Sequence, residues 1–214
     1  MSSSAPLSAL PARSDALALM QTYTTSESLR KHMFGVEAAM RAYAEHFGED
    51  PERWGLTGLI HDFDYERFPN NAHSPTEEHP AEGVRVLHER GWPDDILQAI
   101  LGHATYCNVE RTSRMAQALF AVDELSGLIT ATALVRPTKS VHDVDASSVL
   151  KKMKKKEFAR GVNRADVVLG AQELGVDLER HVQFVIDAMR RSADAIGLAG
   201  TVETTSAGAE KSGR

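Results

Sequence analysis

Apolar residues recur at intervals of three and four along most of the chain, the spacing that places them on one face of an α-helix. The clearest stripe consists of Leu29, Met33, Val36, Met40, Tyr43 and Phe47. A capping-box spacing at residues 24–27 precedes this stripe and Gly48 follows it, so we predict a helix between them. The sequence Asp50-Pro51 starts a second predicted helix, which carries apolar residues up to Ile60.

The same periodicity continues after a break at residues 63–75, where a run of turn-forming residues predicts a loop. A second capping-box spacing at 74–77 predicts a helix start, and Pro80, which lacks an amide proton, predicts that the main helix restarts there. Further helices are predicted at residues 14–22, 93–103, 115–137, 164–174 and 178–198. Since no segment alternates strictly between polar and apolar residues, we predict an all-α fold, a single helical bundle with C-terminal helices.

Length and composition limit the domain organisation. A chain of 214 residues with 42% hydrophobic residues can form one well-packed domain, which we place at residues 12–198 with its core at about 24–135. The small and polar residues 1–11 are predicted to be flexible, and the tail 199–214, rich in Gly, Ser and Thr, is predicted to be disordered. The single cysteine, Cys107, excludes an internal disulfide and fits a reducing compartment.

Charge and hydropathy exclude several classes of partner. The formal net charge of −6 argues against general nucleic-acid binding. No apolar run reaches the roughly 18 residues that a membrane-spanning helix needs, and the N-terminus lacks the basic and apolar regions of a secretory signal. We therefore predict a soluble, cytoplasmic protein without membrane or nucleic-acid partners, and leave open whether it forms a homodimer.

Several polar side chains fall on predicted apolar faces, where a buried polar group needs a partner. His61 and Asp62 directly follow an apolar helix end, and His32, His103 and Asp123 share the buried stripes of their helices. Taken singly, a histidine can bond to a backbone carbonyl, and an aspartate can pair with Arg or Lys. A shared metal centre explains all five at once, because imidazole nitrogens and carboxylate oxygens are both ligands of first-row transition metals.

These residues, in this order, resemble the HD-domain superfamily of metal-dependent phosphohydrolases. The likeness covers residues 24–135 and is greatest to the six-ligand, binuclear subset. Three stretches carry it, namely Glu78-His79-Pro80-Ala81-Glu82-Gly83, Ile96 to His103 with Ile100 three residues before the histidine, and Phe120-Ala121-Val122-Asp123-Glu124-Leu125. The resemblance, more than the helical periodicity, implies the fold and the metal binding.

The resemblance also implies roles for the candidate ligands. One divalent ion is expected at His32, His61, Asp62 and Asp123, and a second at Asp62, His79 and His103, with Asp62 bridging. His61 and Asp62 are then the expected catalytic residues, and a metal-activated hydroxide cleaves a phosphoester of a small phosphorylated substrate, typically a nucleotide. Four imidazoles among six ligands favour iron, manganese, cobalt or zinc over magnesium or calcium.

Other charged residues carry weaker predictions. Within the lysine-rich segment 151–156, the candidates for contact with substrate phosphate are Lys151, Lys154 and Lys155, although such a segment can also be a solvated surface. Asp64 and Glu66 are expected either to orient the site or to bind substrate. The remaining histidines are predicted to be at least partly exposed, with His73 next to the site; they are His46, His73, His88, His142 and His181.

Two other functions use the same ligands. Some six-ligand relatives hold a mixed-valent di-iron pair and act as oxygenases, and Tyr23 could then cap an iron. A binding module that keeps the metals without turnover is the third alternative. The ligand set alone does not separate these functions from hydrolysis.

Overall fold

The computed structural model describes residues 10–200, which form nine α-helices and two short 3₁₀ turns. The helices are α1 (Arg13–Tyr23), α2 (Glu27–Phe47), α3 (Pro51–Ile60), α4 (Ala81–Glu89), α5 (Asp94–His103), α6 (Arg114–Leu134), α7 (Ala146–Met153), α8 (Arg164–Glu173) and α9 (Leu178–Arg191). The 3₁₀ turns are Thr105–Cys107 and Val141–Asp143. These residues contain no strand, only one isolated antiparallel bridge between Ser140 and Ala199. The all-α prediction is confirmed.

Helix α2 begins and ends where the sequence predicts. The Ser26 side chain caps it by accepting a hydrogen bond from the Leu29 N–H at 3.3 Å. The carboxylate of Glu66, from the loop after α3, accepts two more hydrogen bonds at one oxygen, from the N–H groups of Thr25 at 2.8 Å and Ser26 at 2.9 Å. Gly48 ends the helix in the left-handed conformation with φ 72°. Both ends of α2 are thus fixed by polar contacts, one of them made by a distant segment.

Helix α3 packs against α2 at very short range. Asp50 caps α3 by accepting a hydrogen bond from the Glu52 N–H at 2.9 Å. A Cβ atom on Gly58 would lie 3.0 Å from the backbone of Glu37, so the two helices approach almost backbone to backbone. The helix ends at Ile60, which is fully buried, and the chain then turns. The residues that follow Ile60 therefore start inside the protein.

Helix α6 runs through the centre of the bundle and contacts α2, α5, α7, α8 and α9. Its buried residues recur over its whole length, from Met115 to Ala133. Helix α8 lies directly against it, because a Cβ atom on Gly170 would lie only 2.6 Å from the Cα atom of Ala121. This close contact fixes the part of α6 that carries Asp123.

Two helix predictions need correction. The capping-box spacing at 74–77 forms only a turn, in which the Ser74 hydroxyl accepts a hydrogen bond from the Glu77 N–H at 3.2 Å. The chain then continues without helix to α4, which follows Pro80 as predicted. The last helix, α9, ends at Arg191 and not at residue 198, and residues 192–197 form turns.

Helix α7 was not predicted from the sequence. It starts at a capping box, in which the Asp145 carboxylate accepts a hydrogen bond from the Ser148 N–H at 2.7 Å. It is only eight residues long. The apolar residues Ala146, Val149, Leu150 and Met153 recur at intervals of three and four, so the sequence carried a usable signal for this short helix, which the lysine-rich segment overlaps.

Residues 1–9 and 201–214 lie outside the described range, and with them most of the segments predicted to be flexible. The described residues next to them contact the domain: Leu10 packs against the core, and Leu198 is 2% exposed. Between residues 10 and 200, none of the helices combines the length and the hydropathy of a membrane span.

We expect Gly170→Ala to lower the free energy of unfolding by about 1–3 kcal/mol, because the added methyl group would force α8 away from α6. Gly127→Ala in α6 is the matched control, since its Cβ would meet Val162 only at 3.8 Å. This control should be neutral or up to about 1 kcal/mol more stable, because alanine favours helix. Urea unfolding followed by circular dichroism measures both. Equal stability of the two variants would contradict the close contact between the helices.

Candidate metal centre

Six histidine and aspartate side chains meet at one point in the interior of the bundle. They come from α2 (His32), the turn after α3 (His61 and Asp62), the residue before Pro80 (His79), the last residue of α5 (His103) and α6 (Asp123). Three of them are buried, namely His61, His79 and His103, and the other three are partly exposed. The six donors that the sequence predicts to converge therefore do so, in two groups.

The first group surrounds one carboxylate oxygen of Asp62. Asp62 Oδ2 lies 3.5 Å from His32 Nε2 and 3.4 Å from His61 Nε2. Asp123 Oδ1 lies 2.9 Å from the same atom of His32 and 3.3 Å from that of His61. Two imidazole nitrogens and two carboxylate oxygens therefore face one another at short range.

The second group surrounds the other oxygen of the same carboxylate. Asp62 Oδ1 lies 3.2 Å from His79 Nε2 and 3.5 Å from His103 Nε2. The two imidazole nitrogens are themselves 3.2 Å apart. Asp62 is therefore the one residue common to both groups, and it contributes a different oxygen to each.

These separations fit the coordination shell of a transition metal. Donors about 2.1 Å from an ion lie about 3.0 Å apart at octahedral angles and about 3.4 Å apart at tetrahedral angles. The contacts within the two groups range from 2.9 to 3.5 Å. A donor set of four imidazoles and two carboxylates suits iron, manganese, cobalt or zinc. The residues present therefore fit one cation in each group.

The far nitrogen of each buried imidazole is held by an acceptor outside the two groups. His61 Nδ1 donates to the carbonyl of Gly58 at 2.8 Å, and His103 Nδ1 donates to the carbonyl of Ile100. Because Nδ1 carries the proton in both rings, Nε2 is left with its lone pair directed at the groups. That is the protonation state a metal ligand needs.

Asp64 does the same for His79. Its fully buried carboxylate accepts hydrogen bonds from His79 Nδ1 at 2.8 Å and from the Gly83 N–H at 2.8 Å. A Cβ atom on Gly83 would lie 2.5 Å from the Asp64 carboxyl carbon, so only glycine leaves room for this carboxylate. Of the two roles predicted for Asp64, the structure supports the orienting one.

Without a cation, the groups behave as linked acids and bases. Burial lowers the pKa of His79, but hydrogen bonds to Asp62 and Asp64 raise it to about 9. Burial also lowers the pKa of His61, whereas the charge of Asp62 and the hydrogen bond to Asp123 raise it well above its usual value. Burial raises the pKa of both aspartates, but the neighbouring histidines bring both below the usual range. A metal must therefore displace protons from these imidazoles.

A cavity of about 480 Å³ opens over both groups, which is the size of a small-molecule site. Besides the candidate ligands, its polar lining consists of Tyr65, Asn70, His73, Thr105, Tyr106, Glu124, Asn163 and Asp166. The Tyr106 hydroxyl donates a hydrogen bond to the carbonyl of His79 at 2.6 Å. Burial and the neighbouring charge of Asp123 raise the pKa of Glu124 to about 7.

Of these lining residues, His73 was predicted from the sequence to lie next to the site, and the others were not indicated. Glu124 directly follows Asp123, and Tyr106 lies three residues after His103. Their closeness to predicted ligands along the chain was a usable signal. Asn163 and Asp166 come from the start of α8 and have no such signal. The segment before α8 is held by the Arg164 guanidinium, which donates to the carbonyls of Met153 at 2.9 Å and Val162 at 3.0 Å.

The lysines predicted to contact phosphate do not line this cavity. Lys151 and Lys155 line another pocket together with Lys152 and Arg136, and Lys154 lines neither. The physical reason is that α7 presents Lys151, and the segment directly after α7 presents Lys155, to a surface shared with the residues that follow α6.

Glu66 and Tyr23 also lie outside the cavity lining. The Glu66 carboxylate is committed to the N-terminus of α2, so it can influence the site only by fixing the helix that carries His32. The Tyr23 ring packs edge-on against the Phe63 ring, with 4.9 Å between the two ring centroids. The Arg67 guanidinium lies 3.9 Å from the centroid of the Tyr23 ring. The structure thus gives Tyr23 a packing role and no contact with the candidate ligands.

One histidine prediction is wrong. His181 is 1% exposed, whereas His46, His73, His88 and His142 are exposed. Its Nε2 donates to the carbonyl of Ala121 at 2.9 Å, so Nδ1 accepts the Tyr43 hydroxyl at 2.5 Å. Burial lowers the pKa of His181, which keeps the ring neutral. It joins α9 to α2 and α6 and takes no part in the two groups.

Comparison with known proteins gives one match. A family model described as HD domain matches residues 29–171, which is more than half of the chain and includes all six candidate ligands. No curated protein and no solved structure matches the chain. The family match alone does not give the number of ions.

We expect Asp64→Asn to weaken metal binding in the second group by about 10–100-fold, because the asparagine no longer offers a charged acceptor to His79. Glu179→Gln is the control, since this carboxylate is exposed on α9 and lies outside the cavity. Metal content after dialysis against graded chelator, with helical content followed by circular dichroism, measures the effect. Unchanged metal content in Asp64→Asn would contradict the orienting role.

We expect metal affinity to rise with pH between about 7 and 9. In the metal-free protein the pKa of His79 is raised to about 9, so the ring is protonated at pH 7 and must lose its proton to bind a cation. One displaced proton corresponds to up to about tenfold in apparent affinity per pH unit. Calorimetric titration with Mn²⁺ or Zn²⁺, in buffers of different ionisation enthalpy, counts the protons released. An affinity that did not vary over this range would contradict the assignment.

Proposed function

Because the chain belongs to the HD-domain family, whose members are mostly metal-dependent phosphohydrolases, we propose that it hydrolyses phosphoesters of small molecules. One observation carries the proposal. One carboxylate oxygen of Asp62 faces two imidazoles and the Asp123 carboxylate, and the other faces two further imidazoles, at the bottom of a cavity of about 480 Å³. This arrangement supports a proposal of two adjacent cations.

We assign one cation to His32, His61, Asp62 and Asp123 and a second to Asp62, His79 and His103, so that Asp62 bridges. The donor set of four imidazoles and two carboxylates supports iron, manganese, cobalt or zinc. Two such cations would lower the pKa of a shared water and neutralise charge on a phosphoryl group during in-line displacement.

The protein's own part is to hold the donors in place before substrate arrives. The carbonyls of Gly58 and Ile100 and the carboxylate of Asp64 keep three rings in the tautomer whose Nε2 can bind metal. In the proposed reaction, water adds to phosphorus, the bond between phosphorus and the leaving oxygen breaks, and a proton is transferred to that oxygen. The products are an alcohol and inorganic phosphate.

We expect Asp62→Ala to lose both ions and all phosphatase activity while it keeps its helical content, because the bridging carboxylate serves both groups. His103→Ala should lose only the ion of the second group, and His32→Ala should weaken only the first. Exposed His88 provides the matched control, His88→Ala, which should retain full metal content.

Metal analysis of protein purified without chelators, followed by phosphate release from p-nitrophenyl phosphate with added Mn²⁺, Fe²⁺, Co²⁺ or Zn²⁺, tests the proposal. Two retained ions per chain in Asp62→Ala would exclude the bridging role. A fully metal-loaded protein that releases no phosphate from any phosphoester would exclude the hydrolase function.

A further inference from the structure

The wall of the cavity beyond the candidate ligands is acidic. Two carboxyl groups, Glu124 and Asp166, lie in it together with the amides of Asn70 and Asn163 and two tyrosines. No lysine or arginine is among its lining residues in the described part of the chain. A site that binds a highly charged phosphate chain normally surrounds it with basic side chains. This wall offers hydrogen-bond acceptors where such a site would offer cations.

The basic side chain whose charge reaches Asp166 is already committed. The Arg111 guanidinium donates to both carboxylate oxygens of Glu173 at 2.6 Å and to the carbonyl of Gly102 at 2.8 Å. Its planar fork cannot turn to a ligand without breaking this partly buried pairing. Arg111 is therefore a structural contact and is not available to pair with a phosphate.

The start of α8 does not supply a phosphate site either. A free helix N-terminus can bind an anion through its N–H groups. Here the Asn163 side chain caps α8 and accepts from the N–H groups of Ala165 at 3.1 Å and Asp166 at 3.4 Å. The same side chain donates to the Asp166 carboxylate at 2.7 Å. The helix start presents a carboxylate to the cavity, and its first N–H groups are already used.

From this wall we infer that the substrate carries a single phosphoryl group on an organic part rich in hydroxyl or amino groups. The inference rests on the proposed hydrolase function. The reacting phosphate would be matched in charge by the cations alone, and the organic part would donate hydrogen bonds to Glu124 and Asp166. A second phosphate would have to lie against these carboxyl groups with no cation to offset its charge.

The wall disfavours a second phosphate in either protonation state of Glu124. An ionised carboxylate repels a second phosphate, and a neutral carboxyl group still gives it no compensating charge. In both states a carboxyl oxygen accepts a hydrogen bond from a hydroxyl or amino group. A site built around such acceptors discriminates strongly against compounds that cannot supply the donors.

The test compares matched pairs of compounds with the metal-loaded enzyme. We expect kcat/KM to fall at least about tenfold from fructose 6-phosphate to fructose 1,6-bisphosphate and from AMP to adenosine 3′,5′-bisphosphate, mainly through KM. Fructose 6-phosphate should also exceed p-nitrophenyl phosphate, which has no donors on its ring. Equal or faster hydrolysis of either bisphosphate would overturn the inference.

Variants connect the preference to the wall. Asp166→Asn and the double variant Glu124→Gln, Asp166→Asn should reduce the preference for one phosphate by about tenfold, because they remove negative charge without changing shape. Glu179→Gln, on the exposed face of α9, is the control and should leave the preference intact. An unchanged preference in Asp166→Asn with normal metal content would overturn the assignment. Phosphate release separates the two levels: none from any phosphoester would reject the hydrolase function itself, whereas release without any preference would reject only the substrate class.

Discussion

The contact on which the site depends is the carboxylate of Asp62, whose two oxygens face two different groups of donors. Four imidazole nitrogens lie within 3.5 Å of this one side chain. Such a concentration of buried polar atoms is costly unless each atom has a partner, and protons or cations are the only partners that fit between them. The position of Asp62, in the turn directly after a buried helix end, is what allows one carboxylate to reach both groups.

The surrounding fold serves mainly to hold these donors still. Short helix contacts at Gly58 and Gly170 fix α3 and α8 against the two long helices that carry His32 and Asp123. Backbone carbonyls and the buried carboxylate of Asp64 then select the useful tautomer of three histidines. Rigid helices and locked rotamers keep the donors in the geometry of a bound ion before the ion is present.

The sequence pattern suggested that the metal ligands and the lysines serve the same site, but the lysines line a different surface from the cavity. Under the proposed function, cations would supply the charge for the phosphate, while the lysine-rich segment faces another surface beside Arg136. The wall beyond the candidate ligands is polar and acidic, partly because α8 starts there with Asn163 and Asp166. The substrate class that we infer follows from this wall, which offers hydrogen-bond acceptors and no lysine or arginine among its described lining residues.

The amino-acid pattern was enough to predict the helical class, most helix limits and five of the six candidate ligands, and the family resemblance added His79. Helical periodicity and caps depend on neighbouring residues, and a polar residue within an apolar stripe, such as Asp123, is visible without any structure. Tertiary structure alone decided which other side chains share the cavity, because Asn163 and Asp166 are distant from the ligands along the chain. It also decided that His181 is a core residue, although its spacing of four and eight residues from Val185 and Met189 in the buried stripe of α9 was a usable signal. The lysines show the limit most clearly: a charge run states how many cations a segment carries, but only packing sets the surface on which they lie.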